Sequence, residues 1–273
     1  MKKLLFTIYF IAGISTIFAQ NRTLEQTVIE MTLKANQSTN DGKLIWLDSL
    51  SKITKFKTDL KYDSIVRETI NIAQVLDSKN IELYHTSDFI EYQNNTLDKP
   101  EVGIQFFENF ILKTENIPNA EILAKFYFNG GDSYYKKKRY SKSIENINKA
   151  LLIFEKLNNN VEISNCYFKL GQLYFKDSNF DKSHFYYFKS LKINEKLKHE
   201  KRIALILEKI GRIYMITPDP DIDLPKARLN FNKALKIYEQ FKDENGIISS
   251  LTSLGAINLK EGINHQKDEK IHK

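Results

Sequence analysis

Histidine, cysteine and carboxylate side chains are the first candidates for chemistry in this chain, but their spacing supports no reaction. The sequence contains no P-loop, nucleophile elbow, H-E-x-x-H or C-x-x-C motif. The five histidines lack the spacing of a metal site: His85, His184, His199, His265 and His272. We therefore predict a protein that is not an enzyme and that has neither a metal site nor a cofactor.

Three alternating aspartates, Asp219, Asp221 and Asp223, resemble the start of an oxygen-rich calcium loop. Such a loop needs Gly at its sixth position and Glu at its twelfth. Leu224 and Asn230 stand at those positions here. We therefore favour an inserted turn over a calcium site, with Asp223 capping a helix that begins near Leu224.

Composition is typical of a globular helical protein. Hydrophobic residues make up 42% of the chain and charged residues 27%, with ten Gly and five Pro in 273 residues. The one cysteine, Cys166, cannot form an internal disulfide. It lies beside Tyr167 on a predicted packing face, which favours a small buried apolar residue over a reactive thiol.

A pattern centred on glycine recurs every 40 residues and indicates a stacked helical array. Gly131, Gly171 and Gly211 lie at this step, and Gly255 follows after a four-residue insertion. Gly inside a helix costs up to ~1 kcal/mol against Ala, so its recurrence needs a reason. The absence of a Cβ lets two helices cross closely, and small residues downstream supply the other side of the crossing: Ser143, Ser183 and Ala227.

These residues resemble the tetratricopeptide repeat family. The unit that matches slot by slot reads Tyr167…Leu170-Gly171…Tyr174…Ser183…Tyr187…Ser190-Leu191. The family unit has 34 residues and a closing Pro, whereas this unit has 40 and Glu155, Glu195 or Glu239 at the Pro slot. Repeats of this length resemble those of kinesin light chains and helical peptide sensors. The resemblance implies an all-α, right-handed superhelical array of antiparallel helix pairs.

Apolar periodicity predicts about twelve helices after the N-terminal segment. First helices of the pairs are predicted near 80–95, 119–137, 160–177, 200–216 and 244–260. Second helices are predicted near 99–114, 140–157, 180–197 and 224–241, with Pro100 and Pro225 at helix starts. Upstream helices without signature residues are predicted near 24–36, 41–56 and 61–77.

The predicted organisation has four parts: a signal peptide (1–19), degenerate helical repeats capping the array (20–119), the tetratricopeptide array (120–260) and a polar tail (261–273). The last first helix, with Gly255 and Leu259, is followed by a polar segment where a second helix should begin. We interpret this last helix as a cap.

The N-terminal segment has the pattern of a secretory signal peptide. Met1-Lys2-Lys3 is basic, residues 4–18 are apolar without a charge, and Ala19 is small, so the mature chain is predicted to begin at Gln20. The run is short for a transmembrane span, which needs ~20 residues, and a retained anchor is the weaker alternative. We expect export to the periplasm or envelope, with no stable membrane span after cleavage.

A formal net charge of +7, or +5 without Lys2 and Lys3, raises the question of nucleic-acid binding. The lysines are interspersed with acids, as in residues 192–202, which is typical of a solvated helix surface. An exported protein would also rarely meet nucleic acid. We therefore predict no nucleic-acid partner.

In the tetratricopeptide family, extended peptides bind a concave groove lined mainly by first helices. The resemblance places eight residues there: Phe128, Asp132, Tyr135, Phe168, Gln172, Phe175, Glu208 and Arg212. Rings and polar groups together suit a peptide backbone and its apolar side chains. For any single ring, packing against a neighbouring first helix is equally favoured. Phe128 and Asp132 replace the Lys and Asn of the family's carboxylate clamp, which argues against capture of a C-terminal carboxylate.

The predicted function is a non-enzymatic scaffold that binds a protein or peptide in this groove and is exported to the cell envelope. The alternative is the sensor half of a truncated membrane-bound regulator, with its histidine kinase or helix-turn-helix output missing. An enzyme is the third class, and no group of residues in the sequence supports it.

Overall fold

Twelve α-helices, without strands, make up the part of the chain that the structure describes. The computed structural model describes residues 24–55, 62–114, 117, 119–216 and 220–271. The helices are α1 (Leu24–Gln37), α2 (Asn40–Thr54), α3 (Tyr62–Val75), α4 (Lys79–Asn95), α5 (Pro100–Ile111), α6 (Ala120–Lys136), α7 (Tyr140–Lys156), α8 (Asn160–Lys176), α9 (Phe180–Leu197), α10 (Glu200–Ile216), α11 (Pro220–Gln240) and α12 (Glu244–Ile271). The predicted all-α class is confirmed.

Most predicted helix ends lie within a residue or two of the observed ones, but two predictions at the insertion and the last helix are wrong. Helix α11 begins at Pro220, so Pro225 lies inside the helix and Asp223 does not cap its start. Pro225 is the sixth residue of this helix, and because proline has no N–H, one backbone hydrogen bond of the helix cannot form there. Helix α12 does not end near 260 but continues to Ile271. Asp219 of the calcium alternative lies outside the described residues.

The turns between helices recur every 20 residues in the second unit. They end each helix without the closing proline of the usual family repeat. Lys138, Asn158, Ser178 and Lys198 all have left-handed backbone, with φ of 58°, 53°, 57° and 55°. After each of them, the next N–H bonds back to the helix five residues earlier, as from His199 to the Asn194 carbonyl at 3.0 Å. This Schellman arrangement ends a helix through backbone geometry. Two such helix-turn segments give the 40-residue unit.

The chain forms two compact units, one up to Ile122 and one from Leu123. In the first unit, consecutive helices pack on each other. Met31 of α1 packs with Leu47 and Leu50 of α2. The rings of Tyr62 and Tyr92 join α3 to α4 with centroids 4.5 Å apart. That this unit caps the array stays a prediction.

The second unit is organised around close crossings of a first helix (α6, α8, α10) with the second helix that follows it (α7, α9, α11). A Cβ placed on Gly171 would lie 2.6 Å from the Tyr187 ring, so only glycine fits there. The equivalent positions of Gly131 and Gly211 meet Ile147 and Phe231 at 2.9 and 3.0 Å. The repeat register therefore records the helix crossings.

None of the described helices combines the length and apolar character needed to cross a membrane. The predicted signal peptide, residues 1–19, lies outside the described residues.

Candidate functional site

The candidate site is the surface on which the first helices of the second unit lie side by side. Residues four and seven apart share one face of a helix. The 40-residue step then repeats that face on α6, α8 and α10. We call it the first-helix face and define it by the eight predicted residues: Phe128, Asp132, Tyr135, Phe168, Gln172, Phe175, Glu208 and Arg212.

Neighbouring first helices are joined by polar contacts between residues 37 apart in the chain. Lys169 of α8 donates to Asp132 of α6 at 2.5 Å, and Arg212 of α10 donates to Ser249 of α12 at 3.3 Å. The spacing of 37 follows from the 40-residue step because the touching side chains lie nearly one turn apart along adjacent helices. A third such bond, from Arg202 of α10 to Asn165 of α8, completes the order of α6, α8, α10 and α12 on one face.

The ring of Phe168 belongs to the core and does not line an open groove. It is 6% exposed and packs on the Tyr187 ring at a centroid distance of 5.5 Å. The Arg202 guanidinium also lies over this ring, 4.2 Å from its centroid. A ligand therefore cannot reach this ring without displacing Arg202.

Three other rings of the face, Phe128, Tyr135 and Phe175, are only partly buried. Two of them rest against the first residue of the next helix. Tyr135 lies 6.2 Å from Tyr140, and Phe175 lies 5.6 Å from Phe180, between ring centroids. Both rings are thus held by a neighbouring ring and keep part of their surface accessible, which is the geometry of an anchoring aromatic.

Asp132 is engaged in an ion pair on this face. Its side chain is 11% exposed and that of Lys169 is 17% exposed. The Lys169 ammonium also lies 4.7 Å from the centroid of the Tyr135 ring. Burial, followed by the nearby Tyr140 and Asp132, raises the pKa of Tyr135, so its phenol stays protonated as a hydrogen-bonding group. The Lys169 ammonium therefore neutralises the charge of Asp132 and holds the Tyr135 ring in place.

Glu208 is also paired, because its side chain is 6% exposed and lies 3.0 Å from the Arg212 guanidinium. The Tyr238 hydroxyl donates to the second oxygen of Glu208 at 3.3 Å. Burial, with Glu208 as the next cause, raises the pKa of Tyr238. Arg212 itself is exposed and presents the cationic group of this end of the face.

Gln172 carries an unsatisfied acceptor at the centre of the face. Its Oε1 is buried, and no group in the described part of the chain donates to it. Arg202 nearby likewise has a buried Nε without an acceptor, although its terminal nitrogen donates to Asn165 at 2.9 Å. An unpaired buried polar atom is costly, so a donor added by a ligand at Gln172 would stabilise this part of the face.

Sequence reasoning missed Lys169 and Arg202, which shape the face as much as the predicted residues do. Both lie 37 residues after a polar residue of the preceding first helix, Asp132 and Asn165 respectively. The 40-residue period is visible in the sequence, but the offset between adjacent helices comes from their packing. Pairing polar residues at i and i+37 would have found both contacts.

The first unit contains a Ser, His and Asp group that the sequence did not reveal. His85 Nε2 lies 2.8 Å from Asp48 Oδ1, and His85 Nδ1 lies 3.4 Å from Ser51 Oγ. Ser51 is 2% exposed and gives its proton to the Asp48 carbonyl at 2.8 Å. A hydroxyl so buried and already donating is not a nucleophile facing substrate, so this group stabilises the contact between α2 and α4.

Cys166 is buried and unpaired, as predicted. Burial, followed by the charges of Glu162 and Glu155, raises the pKa of its thiol. A protonated buried thiol is a packing group. In the part of the chain that the structure describes, no cluster of His, Cys, Asp and Glu could hold a metal ion.

Comparison with known proteins identifies the repeats and the fold. A family model described as tetratricopeptide repeat matches residues 123–196, which run from α6 to α9. No curated protein sequence gives a match.

Three solved structures share the fold at low sequence identity. BtubC (BKLC) from P. vanneervenii is 16% identical, with a TM-score of 0.67, and the match covers 81% of this chain and 93% of that one. Apo RapI is 19% identical, with a TM-score of 0.64 and coverage of 83% and 62%. A Rap protein complexed with competence and sporulation factor is 13% identical, with a TM-score of 0.54 and coverage of 84% and 66%. At these identities the likeness establishes the fold alone, and this chain spans just under two thirds of either Rap protein.

Proposed function

The chain is a tetratricopeptide-repeat protein, and from this premise we propose that it is a non-enzymatic scaffold that binds a peptide or protein segment on its first-helix face. The observation that carries the proposal is the combination, on one face, of the partly buried rings of Tyr135 and Phe175 with the unsatisfied Gln172 oxygen. The rings supply apolar contact area, and Gln172 supplies an acceptor for a peptide N–H.

The charged residues of the first-helix face limit the kinds of ligand that can bind there. Asp132 and Glu208 are nearly buried and paired with Lys169 and Arg212. Acids engaged in this way do not attract a basic ligand strongly. The exposed Arg212 guanidinium contacts Glu208 and Ser249 through one terminal nitrogen, and its other N–H groups can donate to a carboxylate or carbonyl. The segment that fits is therefore extended and largely apolar, with an acidic or polar group that lies near Arg212.

The position of Gln172 suggests how the backbone of such a segment would be held. Its row on the face also contains Asp132 and Arg212, one residue from each of three adjacent first helices. A rotation of the Gln172 amide would present Oε1 to a peptide N–H and satisfy an acceptor for which the described residues supply no donor. Tyr135 and Phe175, one turn further along their helices, then contact the side chains of the segment.

The Rap protein complexed with competence and sporulation factor supports this proposal by showing the fold in a complex. Its low identity means that the support concerns the scaffold and not the identity of the ligand. Here the ligand is defined by chemistry alone.

A random peptide library displayed on phage tests the proposal. Residues 20–273 serve as the target, and the Tyr135→Ala/Phe175→Ala double variant serves as the counter-target. We expect enrichment of apolar peptides with an acidic residue, and we expect that these peptides do not bind the double variant. The matched control, Leu152→Ala/Leu229→Ala, removes apolar groups that are 60% and 54% exposed on second helices, and it should bind the peptides normally. Equal binding to all three proteins would place the site elsewhere.

We also propose export to the cell envelope. The support is the basic start, Met1-Lys2-Lys3, followed by an apolar segment and Ala19. N-terminal sequencing of the protein from a periplasmic fraction should read from Gln20. An intact Met1 on cytosolic protein would contradict export and leave the peptide-binding proposal standing.

A further inference from the structure

Helix α12 presents an apolar stripe that the described residues leave uncovered. Ile248 and Leu251 are 63% and 53% exposed. Gly255 lies on the same side of the helix, because residues three, four and seven apart share a face. A Cβ built on Gly255 meets nothing within 4 Å. Exposed large apolar residues beside an open glycine form a surface fit for packing.

The equivalent surface of each preceding first helix is covered by a second helix. Ile248 lies seven residues before Gly255. The residues seven before Gly131, Gly171 and Gly211, which we call the register glycines, are Ala124, Ser164 and Ala204, and they are 0%, 2% and 0% exposed. The register glycines themselves face Ile147, Tyr187 and Phe231. Ile248 and Gly255 occupy the equivalent positions of α12, and no helix of the described residues covers them. This surface of α12 is therefore equivalent to the surfaces on which α7, α9 and α11 pack.

The three covering helices show what chemistry fits such a surface. Each carries a small residue, then a large apolar residue four positions later, then a small residue three positions after that: Ser143, Ile147 and Ala150; Ser183, Tyr187 and Ser190; Ala227, Phe231 and Ala234. The large residue sits on the register glycine. Where the first small residue is serine, its hydroxyl donates to the glycine carbonyl, at 2.7 Å for Gly131 and 2.8 Å for Gly171.

The large side chain of Ile248 limits the size of the residue that can pack opposite it. Ile248 stands where the preceding repeats have Ala or Ser. The last small residue of a covering helix lies opposite this slot, as shown by the 3.0 Å bond from Ser190 Oγ to the Ser164 carbonyl. A helix that packs on α12 must therefore place Ala or Gly opposite Ile248.

We propose that the Ile248, Leu251 and Gly255 surface of α12 docks an amphipathic helix of a partner protein. That helix carries a small residue, an aromatic residue four positions later and Ala or Gly three positions after that. Its aromatic ring seats on Gly255 as Tyr187 seats on Gly171. The proposal concerns the second-helix side of α12 and does not depend on ligand binding at the first-helix face.

A helix-stabilised synthetic peptide with the sequence of residues 226–240 provides the probe, because it contains Ala227, Phe231 and Ala234 in this pattern. Its binding to residues 20–273 is measured by fluorescence anisotropy. We expect saturable binding that weakens at least about tenfold for the Gly255→Leu protein, whose new side chain occupies the seat of the ring. The peptide with Phe231→Asp should lose affinity to a similar extent.

Gly255→Leu adds its side chain to open space, so the fold should persist, and the urea midpoint of the variant verifies this. Leu251→Glu gives a second variant on the same stripe. Undetectable binding at millimolar peptide would overturn the proposal, as would equal affinity of wild type and Gly255→Leu. Concentration-dependent dimerisation that Gly255→Leu abolishes would also overturn it, because the occupant would then be a second copy of this chain.

Discussion

The Ser183 hydroxyl donates a 2.8 Å hydrogen bond to the carbonyl oxygen of Gly171, across the crossing of α8 and α9. Ser143 makes the same bond to Gly131 at 2.7 Å, also twelve residues apart. In both repeats, glycine lets the helices approach closely enough for a short side chain to reach the opposite backbone. The glycine and the serine therefore function as a pair at these two crossings.

We expect Gly171→Leu to lower the free energy of unfolding by about 2–4 kcal/mol, because the new side chain collides with Tyr187 in a packed crossing. Gly255→Leu is the matched control, since its Cβ meets open space. That variant should stay within about 0.5 kcal/mol of wild type or gain up to about 1 kcal/mol from the better helix former. Urea unfolding followed by circular dichroism measures both variants, and equal midpoints would contradict the assignment of the crossing.

Two phenylalanines seven residues apart on α8 should respond differently to truncation. Phe168→Ala removes a core ring that is 6% exposed and should cost about 3–4 kcal/mol of stability. Phe175→Ala removes a partly buried ring and should cost about 1–2 kcal/mol. Thermal unfolding of the two variants distinguishes them. A smaller loss of stability for Phe168→Ala than for Phe175→Ala would contradict the burial of Phe168 in the core.

The contrast between these two rings shows what the sequence could predict. The period predicted the helix crossings and most helix ends, because Gly171 and the small residues around Tyr187 are explained by one packing geometry. It placed Phe168 and Phe175 on one helix face, but it could not say that Arg202 closes over Phe168. That closure depends on the offset between adjacent first helices, which no single repeat encodes.

The same limit explains the contacts and the helix start that sequence reasoning missed. Asp48 and His85 lie 37 residues apart in the first unit, where no glycine register marks the repeats. At the insertion, the aspartates suggested a cap at Asp223, but helix α11 already begins at Pro220. Local residue patterns predict that a helix is present, whereas the residue at which helix α11 begins depends on the packing of the whole helix.

Lys198 is a position where glycine should stabilise the protein. Its φ of 55° lies in the left-handed region that favours glycine, at the end of α9. We expect Lys198→Gly to raise the free energy of unfolding by about 0.5–1 kcal/mol, less the greater entropy of glycine in the unfolded chain. Lys196→Gly is the matched control inside the helix and should lower stability by about 1 kcal/mol. Stabilisation by both or by neither would contradict the turn geometry.

The stability of the first unit should fall in acid partly through Asp48. Burial opposes ionisation of Asp48, but hydrogen bonds from His85 and Lys52 outweigh it and lower the pKa of the carboxyl group. A carboxyl group with a depressed folded pKa contributes stability above its unfolded pKa, about 4. That contribution is lost as the pH falls through the folded pKa. The urea midpoint of wild type should therefore drop more between pH 5 and pH 2.5 than that of Asp48→Asn, whereas parallel curves would contradict the linkage.

The most direct measurement of the central claim is calorimetric titration of one selected peptide into wild type, Gln172→Met and Leu229→Ala. Gln172→Met removes an acceptor to which none of the described residues donates, so stability should hold or rise by up to about 1 kcal/mol. Leu229→Ala removes a side chain that is 54% exposed on a second helix and serves as the control. We predict about tenfold weaker binding for Gln172→Met, an unfolding midpoint no lower than that of wild type, and unchanged affinity for Leu229→Ala. Unchanged affinity of Gln172→Met, with the loss appearing in Leu229→Ala instead, would contradict binding at the first-helix face.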